Sequence, residues 1–145
     1  MSEYDGSSRI YVDTNIWIYY IEGNEFFKSR VDAVFEEVER ANSRLVTNEI
    51  TLAECIIKPA EIGHVDMVAV YENIFARGEV DVTQLDGGLA KRAAIAAGRL
   101  GLKLIDAIHY VSAVESGCQY FLTADGHFKT GPEMTVVRIT GLTGK

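Results

Sequence analysis

The chain has 145 residues, of which 48% are hydrophobic and 24% are charged, and its formal net charge is −7 at pH 7. This length allows one domain with a hydrophobic core, and no apolar run reaches the length needed to span a bilayer. The acidic balance argues against a non-specific nucleic-acid binder, which would present a basic face. The segment MSEYDGSSR has no apolar signal core, so we expect a cytoplasmic protein without a membrane partner.

Short apolar runs alternate with amphipathic segments along the chain. In chain order, the first half predicts a strand at Arg9–Val12, a helix capped by Thr14 or Asn15 that runs through Ile21, a helix from Phe27 to Ala41, a strand at Leu45–Val46, and a helix capped by Asn48 that runs through Ile57 and is ended by Lys58-Pro59. The second half predicts a helix at Val65–Ala76, a strand at Glu79–Val82, helices at Gly87–Leu100 and Leu104–Glu115, and strands at Tyr120–Leu122 and Thr135–Ile139.

Strands that alternate with helices predict a parallel sheet covered on both faces. The expected fold class is therefore α/β, a three-layer α/β/α sandwich with a central, mainly parallel sheet. We expect a single domain over residues 1–145, with its core at about 8–140 and a loose tail at Gly141–Lys145. In such sheets, ligands bind beyond the carboxyl ends of the strands.

The cysteines and histidines do not form a zinc-binding pattern. Cys55 and Cys118 each fall in an apolar helical context, which predicts reduced core side chains rather than a disulfide or a metal pair. The histidines at 64, 109 and 127 are scattered singly, and none is a strong ligand candidate.

Acidic residues stand in apolar sequence at the predicted ends of strands and on the helices that follow: Asp13, Glu54, Asp106 and Asp125. Acidic side chains are normally exposed, so this placement is unusual. A simpler interpretation stays open for each: Asp13 could be a helix cap, and Glu54 could belong to a capping box. Asp106 could be a charge at the positive end of its helix, and Asp125 could be a turn residue. The simpler account requires the same coincidence at every one of these positions.

If these carboxylates converge, they repel one another. Two charges ~4 Å apart cost roughly 4 kcal/mol at an effective dielectric constant near 20. A divalent cation relieves this repulsion, and an all-oxygen site suits Mg²⁺ or Mn²⁺ rather than zinc. Such ions activate water and stabilise in-line displacement at phosphorus.

At these acidic residues the chain resembles the PIN-domain family of metal-dependent ribonucleases, and within it the VapC-type toxins of toxin–antitoxin systems. The family pattern has an Asp after the first strand, a Glu on a helix, an Asp opening a helix, and Thr-x-Asp closing a strand. The matching segments here are VDTN at 12–15, TNEITLAE at 47–54, KLIDAIH at 103–109 and LTAD at 122–125. Order and spacing match over residues 10–128.

The resemblance implies a Mg²⁺- or Mn²⁺-dependent endoribonuclease, the toxin of a toxin–antitoxin pair. It implies an RNA substrate, a homodimer and a small antitoxin protein as partners. The implied catalytic and metal-binding residues are Asp13, Glu54, Asp106 and Asp125, and the implied supporting polar residues are Asn15 and Thr123. Glu49 competes with Glu54, but an offset of five residues at ~3.6 residues per turn puts the two on different helix faces.

Two further features have open interpretations. The basic residues Lys91, Arg92 and Arg99 form either a solvated helix face or a contact for the RNA backbone. The aromatic residues Trp17, Tyr19 and Tyr20 either pack, in the core or at a dimer surface, or stack on RNA bases.

Other functions fit the sequence less well than a ribonuclease does. A non-catalytic PIN-fold module that binds RNA or protein is the alternative, and the complete acidic set argues against it. A phosphatase of the haloacid dehalogenase type needs a second Asp where Asn15 stands, and a receiver domain needs an acidic pair before its first helix.

Overall fold

The structure is a computed structural model that describes residues 9–139. Its elements in chain order are β1 Arg9–Val12, α1 Thr14–Glu22, α2 Lys28–Arg40, β2 Arg44–Asn48, α3 Glu49–Glu61, α4 Val65–Ala76, β3 Val80–Thr83, α5 Gly87–Leu100, α6 Leu104–Glu115, β4 Tyr120–Thr123 and β5 Thr135–Arg138. Every predicted element is present, and only the end of α3 differs by more than two residues. The predicted loose tail at Gly141–Lys145 lies outside the described residues.

The strands form one parallel sheet in the order β3-β2-β1-β4-β5. β1 is central, and Ile10 is paired with Leu45 on one side and with Tyr120 on the other. Strands β2 and β3 are added on one side of β1, and β4 and β5 are added on the other side. The carboxyl ends of β1 and β4 therefore meet at the point where the strand order reverses, which is where open α/β sheets bind ligands.

Alternation along β1 supplies both layers of the core. Ile10 and Val12 enter a cluster with residues of α1, α2, α3 and α4, whereas Tyr11 enters a cluster with residues of α5 and α6. Each of these side chains is at most 1% exposed, and full burial of one such apolar side chain is worth about 1.5–3 kcal/mol. The α/β/α sandwich expected from the sequence is confirmed.

The predicted end of the third helix at Lys58-Pro59 is wrong, because α3 continues to Glu61 with Pro59 inside it. Proline lacks an N–H and therefore removes one helical hydrogen bond. The bonds beyond it survive, since Ile62 N–H donates to the Lys58 carbonyl and His64 N–H donates to the Pro59 carbonyl. Pro59 is also buried, so tertiary packing offsets a local signal that normally ends a helix.

Both cysteines are reduced and buried, as predicted. Cys55 belongs to the core layer on one face of the sheet and Cys118 to the layer on the other. Over residues 9–139, the helices are too short or too polar to cross a membrane.

Candidate functional site

Asp13 connects β1 to α1, and both oxygens of its carboxylate are held. Oδ1 accepts a hydrogen bond from the Thr14 N–H at 2.8 Å, which makes Asp13 the cap of α1 in place of the predicted Thr14 or Asn15. Oδ2 accepts from the Thr123 hydroxyl at 2.7 Å, and Asp13 is 8% exposed. The capping interpretation is correct, but it accounts for only one of the two oxygens.

Thr123 joins the ends of β1 and β4. While its hydroxyl donates to Asp13, the same oxygen accepts from the Asp125 N–H at 3.0 Å. The Asp125 carboxylate accepts a hydrogen bond from the His127 N–H at 2.8 Å. This bond is typical of a turn, so Asp125 is also the turn residue that the simpler interpretation expected. This chain of hydrogen bonds places the two predicted acids on neighbouring strand ends.

Asp106 lies in the first turn of α6 and is half-buried. Burial raises its pKa above the usual range, and the negative charges of Asp13 and Asp125 raise the pKa further, against weaker opposing effects of His109 and Lys103. Asp13, Asp106 and Asp125 are therefore near enough for their charges to interact. The structure brings these predicted acids together.

Glu54 reaches the same edge from α3. Its Oε1 accepts a hydrogen bond from the Thr14 hydroxyl at 2.6 Å and lies 2.9 Å from His109 Nε2. Burial alone would raise the pKa of Glu54, but the hydrogen bonds with His109 and Thr14 outweigh it and lower the pKa. The competing Glu49 points elsewhere, since its Oε1 accepts from the Leu85 N–H at 2.9 Å.

Three polar residues of the site were not among the predicted site residues: Tyr11, Thr14 and His109. His109 is 2% exposed, and its Nε2 lies 3.9 Å from Asp13 Oδ1. Its Nδ1 lies 2.8 Å from the Tyr11 hydroxyl. The available signal was the position of His109 one helical turn after Asp106, which puts both on one helix face. Nothing in the sequence pattern of β1 marks Tyr11 as anything but a core residue.

The acidic set offers the donor atoms that a hard divalent cation prefers. As the side chains stand, residues 9–139 contain no group of three or more Asp, Glu, His or Cys side chains that could hold a metal ion. The donor chemistry does fit Mg²⁺ or Mn²⁺, because the acids offer only oxygen. Burial first, and then the charges of Asp13 and Asp125, raise the pKa of Asp106, and a bound cation would oppose both effects. Mg²⁺ keeps several waters and binds through one or two carboxylates plus substrate phosphates, so a complete protein cage is not required.

The predicted supporting residue Asn15 and the predicted RNA-binding residues of α5 lie on the surface, and one of them is in an ion pair. Asn15 is exposed in the first turn of α1. Arg92 forms a two-bond ion pair with Glu115, at 2.5 and 2.9 Å, whereas Lys91 and Arg99 are exposed on α5. Glu115 is nine residues beyond Asp106 on α6, about 13 Å along the helix axis. Arg92 is thus held away from the acidic set.

Trp17 packs in the core and does not face solvent. It is 1% exposed, and its ring makes edge contacts with Phe35 and Phe75 at centroid distances of 5.4 and 5.0 Å. Tyr19 stacks on Phe27 and Tyr20 tilts against Phe35. The packing interpretation of this aromatic segment is the one that the structure favours over stacking on RNA bases.

The chain matches a family model in sequence and several solved structures in fold. The family model described as the PIN domain matches residues 10–133. No curated protein matches the sequence.

Three of the similar solved structures come from bacteria. Mycobacterium tuberculosis VapC20, described as a sarcin–ricin loop cleaving toxin, superposes with a TM-score of 0.70 at 17% identity, covering 82% of this chain and 92% of that chain. Rickettsia felis VapBC2, bound to a DNA fragment from its promoter, gives 0.66 at 16% identity, with coverages of 90% and 98%. A toxin–antitoxin complex from Klebsiella pneumoniae gives 0.65 at 19% identity, with coverages of 90% and 97%. At these identities the likeness shows a shared fold.

Proposed function

The chain belongs to the PIN-domain family, and we propose that it is a metal-dependent endoribonuclease that hydrolyses phosphodiester bonds in RNA. The observation that carries this proposal is the chain of hydrogen bonds through Thr123 that holds Asp13 and Asp125 on neighbouring strand ends. Asp106 is near enough for the negative charges of both to contribute to its raised pKa. Glu54 is held beside them, since His109 Nε2 lies 2.9 Å from Glu54 and 3.9 Å from Asp13. Clustered carboxylates of this kind suit a divalent cation and, through it, a phosphate substrate.

Asp13, Asp106 and Asp125, together with Glu54, would hold Mg²⁺ or Mn²⁺. When bound, such an ion supplies a water of lowered pKa and offsets negative charge at phosphorus. The part played by the other residues is orientation: Thr14 N–H and the Thr123 hydroxyl fix the Asp13 carboxylate. Carboxylates that are already fixed bind an ion without a further loss of side-chain entropy.

The RNA backbone would be held by exposed basic side chains of α5. Lys91 and Arg99 are exposed, and Arg92 is already paired with Glu115. We expect Lys91→Glu and Arg99→Glu to weaken RNA binding, and to lower the slope of log affinity against log salt by ~0.7 for each phosphate of a single strand that the variant no longer neutralises. Arg77→Glu, at an exposed arginine after α4, is the matched control. Equally weakened binding in all three variants would contradict a specific RNA-binding role of α5.

We further propose that the chain is the toxin of a toxin–antitoxin pair, that it acts in the cytoplasm as a homodimer, and that a small antitoxin protein blocks it. Support comes from similar structures described as a toxin and as a toxin–antitoxin complex. Induction of the chain alone should arrest growth, and co-expression of a short neighbouring reading frame should restore it. Growth unaffected by induction of a soluble, folded chain would contradict the toxin proposal.

The decisive experiment compares the wild type with Asp13→Asn on total RNA with Mg²⁺ or Mn²⁺. Asparagine still caps a helix, so the fold should survive the substitution. Cleavage should fall by more than the roughly 100-fold that loss of an outer-shell partner costs a metal site. Calorimetry without RNA should show weaker metal binding by the variant.

Asp66→Asn is the matched control, because Asp66 is an exposed acid in the first turn of α4. It should cleave RNA and bind metal like the wild type. Unchanged metal-dependent cleavage by Asp13→Asn would overturn the proposal. RNA binding by the wild type without metal binding or cleavage would instead support the non-catalytic PIN-fold module.

A further inference from the structure

A buried histidine connects three elements of the acidic site. His109 of α6 places Nε2 at 2.9 Å from Glu54 on α3, and Nδ1 at 2.8 Å from the hydroxyl of Tyr11 on β1. His109 is 2% exposed and Tyr11 is 0% exposed, so neither side chain can reach an RNA substrate. Any effect they have on the site must pass through the groups that they contact.

The partners of the two ring nitrogens, Tyr11 at Nδ1 and Glu54 at Nε2, decide which nitrogen of His109 carries hydrogen. A phenol ionises only near pH ~10, so the Tyr11 hydroxyl carries its hydrogen at neutral pH. The single hydroxyl hydrogen of Thr47 has two acceptors within reach, Thr51 Oγ1 at 2.7 Å and the Val12 carbonyl at 3.2 Å. Donation over the shorter contact leaves the Thr51 hydrogen free for the phenol oxygen. The Tyr11 hydrogen is then available for His109 Nδ1, because a phenol has one hydrogen to donate.

An Nδ1 that accepts from Tyr11 requires a neutral ring to carry its hydrogen on Nε2. That N–H faces Glu54 Oε1, the oxygen that also accepts from the Thr14 hydroxyl at 2.6 Å. Both described hydrogen bonds of Glu54 therefore converge on the same oxygen. Two donors on one oxygen fix the rotation of the carboxylate more firmly than either does alone.

We propose that Tyr11 and Glu54 together hold His109 in the Nε2–H tautomer, Tyr11 by donating to Nδ1 and Glu54 by accepting from Nε2, and that this N–H positions the Glu54 carboxylate beside Asp13. Tyr11 and His109 are then positioning residues that act through Glu54. The tautomer does not depend on what reaction the protein catalyses. The consequence for RNA cleavage rests on the proposed function.

Nitrogen-15 NMR of the metal-free protein tests the tautomer directly. Long-range proton–nitrogen correlations should show a hydrogen-bearing Nε2 and a bare Nδ1 for one histidine, which the spectrum of His109→Gln identifies by its absence. In Tyr11→Phe, Nε2 should keep its hydrogen, because Glu54 still accepts it, and the resonance of the bare Nδ1 should shift, because its donor is gone. Tyr71→Phe is the matched control, because it also removes a buried, hydrogen-bonded phenol, whose partner is Glu22 at 2.5 Å instead of His109. It should leave the His109 resonances unchanged.

Either of two NMR results would overturn the proposal. One is a wild-type His109 that carries its hydrogen on Nδ1. The other is a folded Tyr11→Phe protein whose His109 resonances match those of the wild type. Thermal unfolding of each variant shows that the comparison is made between folded proteins.

Kinetics on RNA test the positioning of Glu54. His109→Leu should lower kcat by about 10- to 100-fold, as expected for loss of a hydrogen bond to a charged group, and leave KM unchanged. His109→Gln should restore most of kcat, because its amide nitrogen can donate near the position of Nε2. An unchanged kcat in His109→Leu, with wild-type cleavage measurable, would refute the positioning role. If the wild type cleaves no RNA with any divalent metal, the proposed function fails and the NMR result decides the tautomer by itself.

Discussion

Thr123 offers a sharp test of how the site edge is held together. Its hydroxyl donates to Asp13 Oδ2 at 2.7 Å and accepts from the Asp125 N–H at 3.0 Å, and the residue is fully buried. Thr123→Val keeps the shape of the side chain and removes both hydrogen bonds. The change therefore isolates the polar contribution of a single oxygen.

The expected destabilisation follows from these two bonds. A hydrogen bond to a charged group contributes roughly 1.5–3 kcal/mol and a neutral one about 1 kcal/mol. Asp13 is 8% exposed, so water can partly replace the missing donor. Valine also suits a strand better than most residues. We expect the free energy of unfolding to fall by about 2 kcal/mol, and Tm to fall by roughly 5 to 8 °C for a chain of this size.

Urea unfolding followed by fluorescence measures this change, because Trp17 is the only tryptophan and is 1% exposed. Thr123→Ser is the matched control, since it keeps the hydroxyl and removes only the methyl group. The serine variant should lose less stability than the valine variant. A valine variant as stable as the wild type, beside a destabilised serine variant, would refute the reasoning, because the methyl group and not the hydroxyl would then matter.

Three further predictions concern the rest of the fold. Hydrogen bonding to Arg44 holds the pKa of Asp81 below its usual range. Above pH ~4, Asp81→Asn should therefore lower the free energy of unfolding, by about 1 kcal/mol or less because the ion pair is partly exposed. The difference from the wild type should vanish as pH falls through the lowered pKa of the folded state, and a difference that grows in acid would contradict this. Pro59→Ala restores a helical N–H inside α3 and removes the packing of the buried proline ring. The net effect should be a free energy of unfolding higher by about 1 kcal/mol. A lower urea midpoint would contradict this, because the lost ring packing would then outweigh the restored helix. Gly131→Ala would drive a Cβ into the Tyr110 hydroxyl, and calorimetry should show a lower Tm. An unchanged Tm would contradict this, because the Tyr110 ring would then have moved aside without cost.

Local signals in the sequence were sufficient for most of the fold. Apolar runs marked the strands, and caps such as Asn48 and Gly101 marked helix ends, because these signals depend on a residue and its immediate neighbours. The exception is Pro59, where burial of the ring within the tertiary structure kept a helix going past a local stop signal.

For the candidate site, the sequence placed Asp13 and Asp125 at strand ends, and a parallel sheet then requires those ends to share one edge. Whether the acids bind metal remains a prediction. The sequence could not show that Arg92 is paired with Glu115, because that ion pair spans 23 residues between two helices. It also could not show that Trp17 is buried in the core, where its ring contacts Phe35 and Phe75.

The sequence by itself therefore determined the order and type of the elements, the α/β class, and the acids at the ends of strands and the starts of helices. Only the tertiary structure decided what those acids touch. Thr14 reaches Glu54 across 40 positions, His109 reaches Glu54 across 55, and Tyr11 reaches His109 across 98. Interactions at such separations depend on how the sheet and its two helical layers pack, and a short-range pattern of residue types carries no record of that packing.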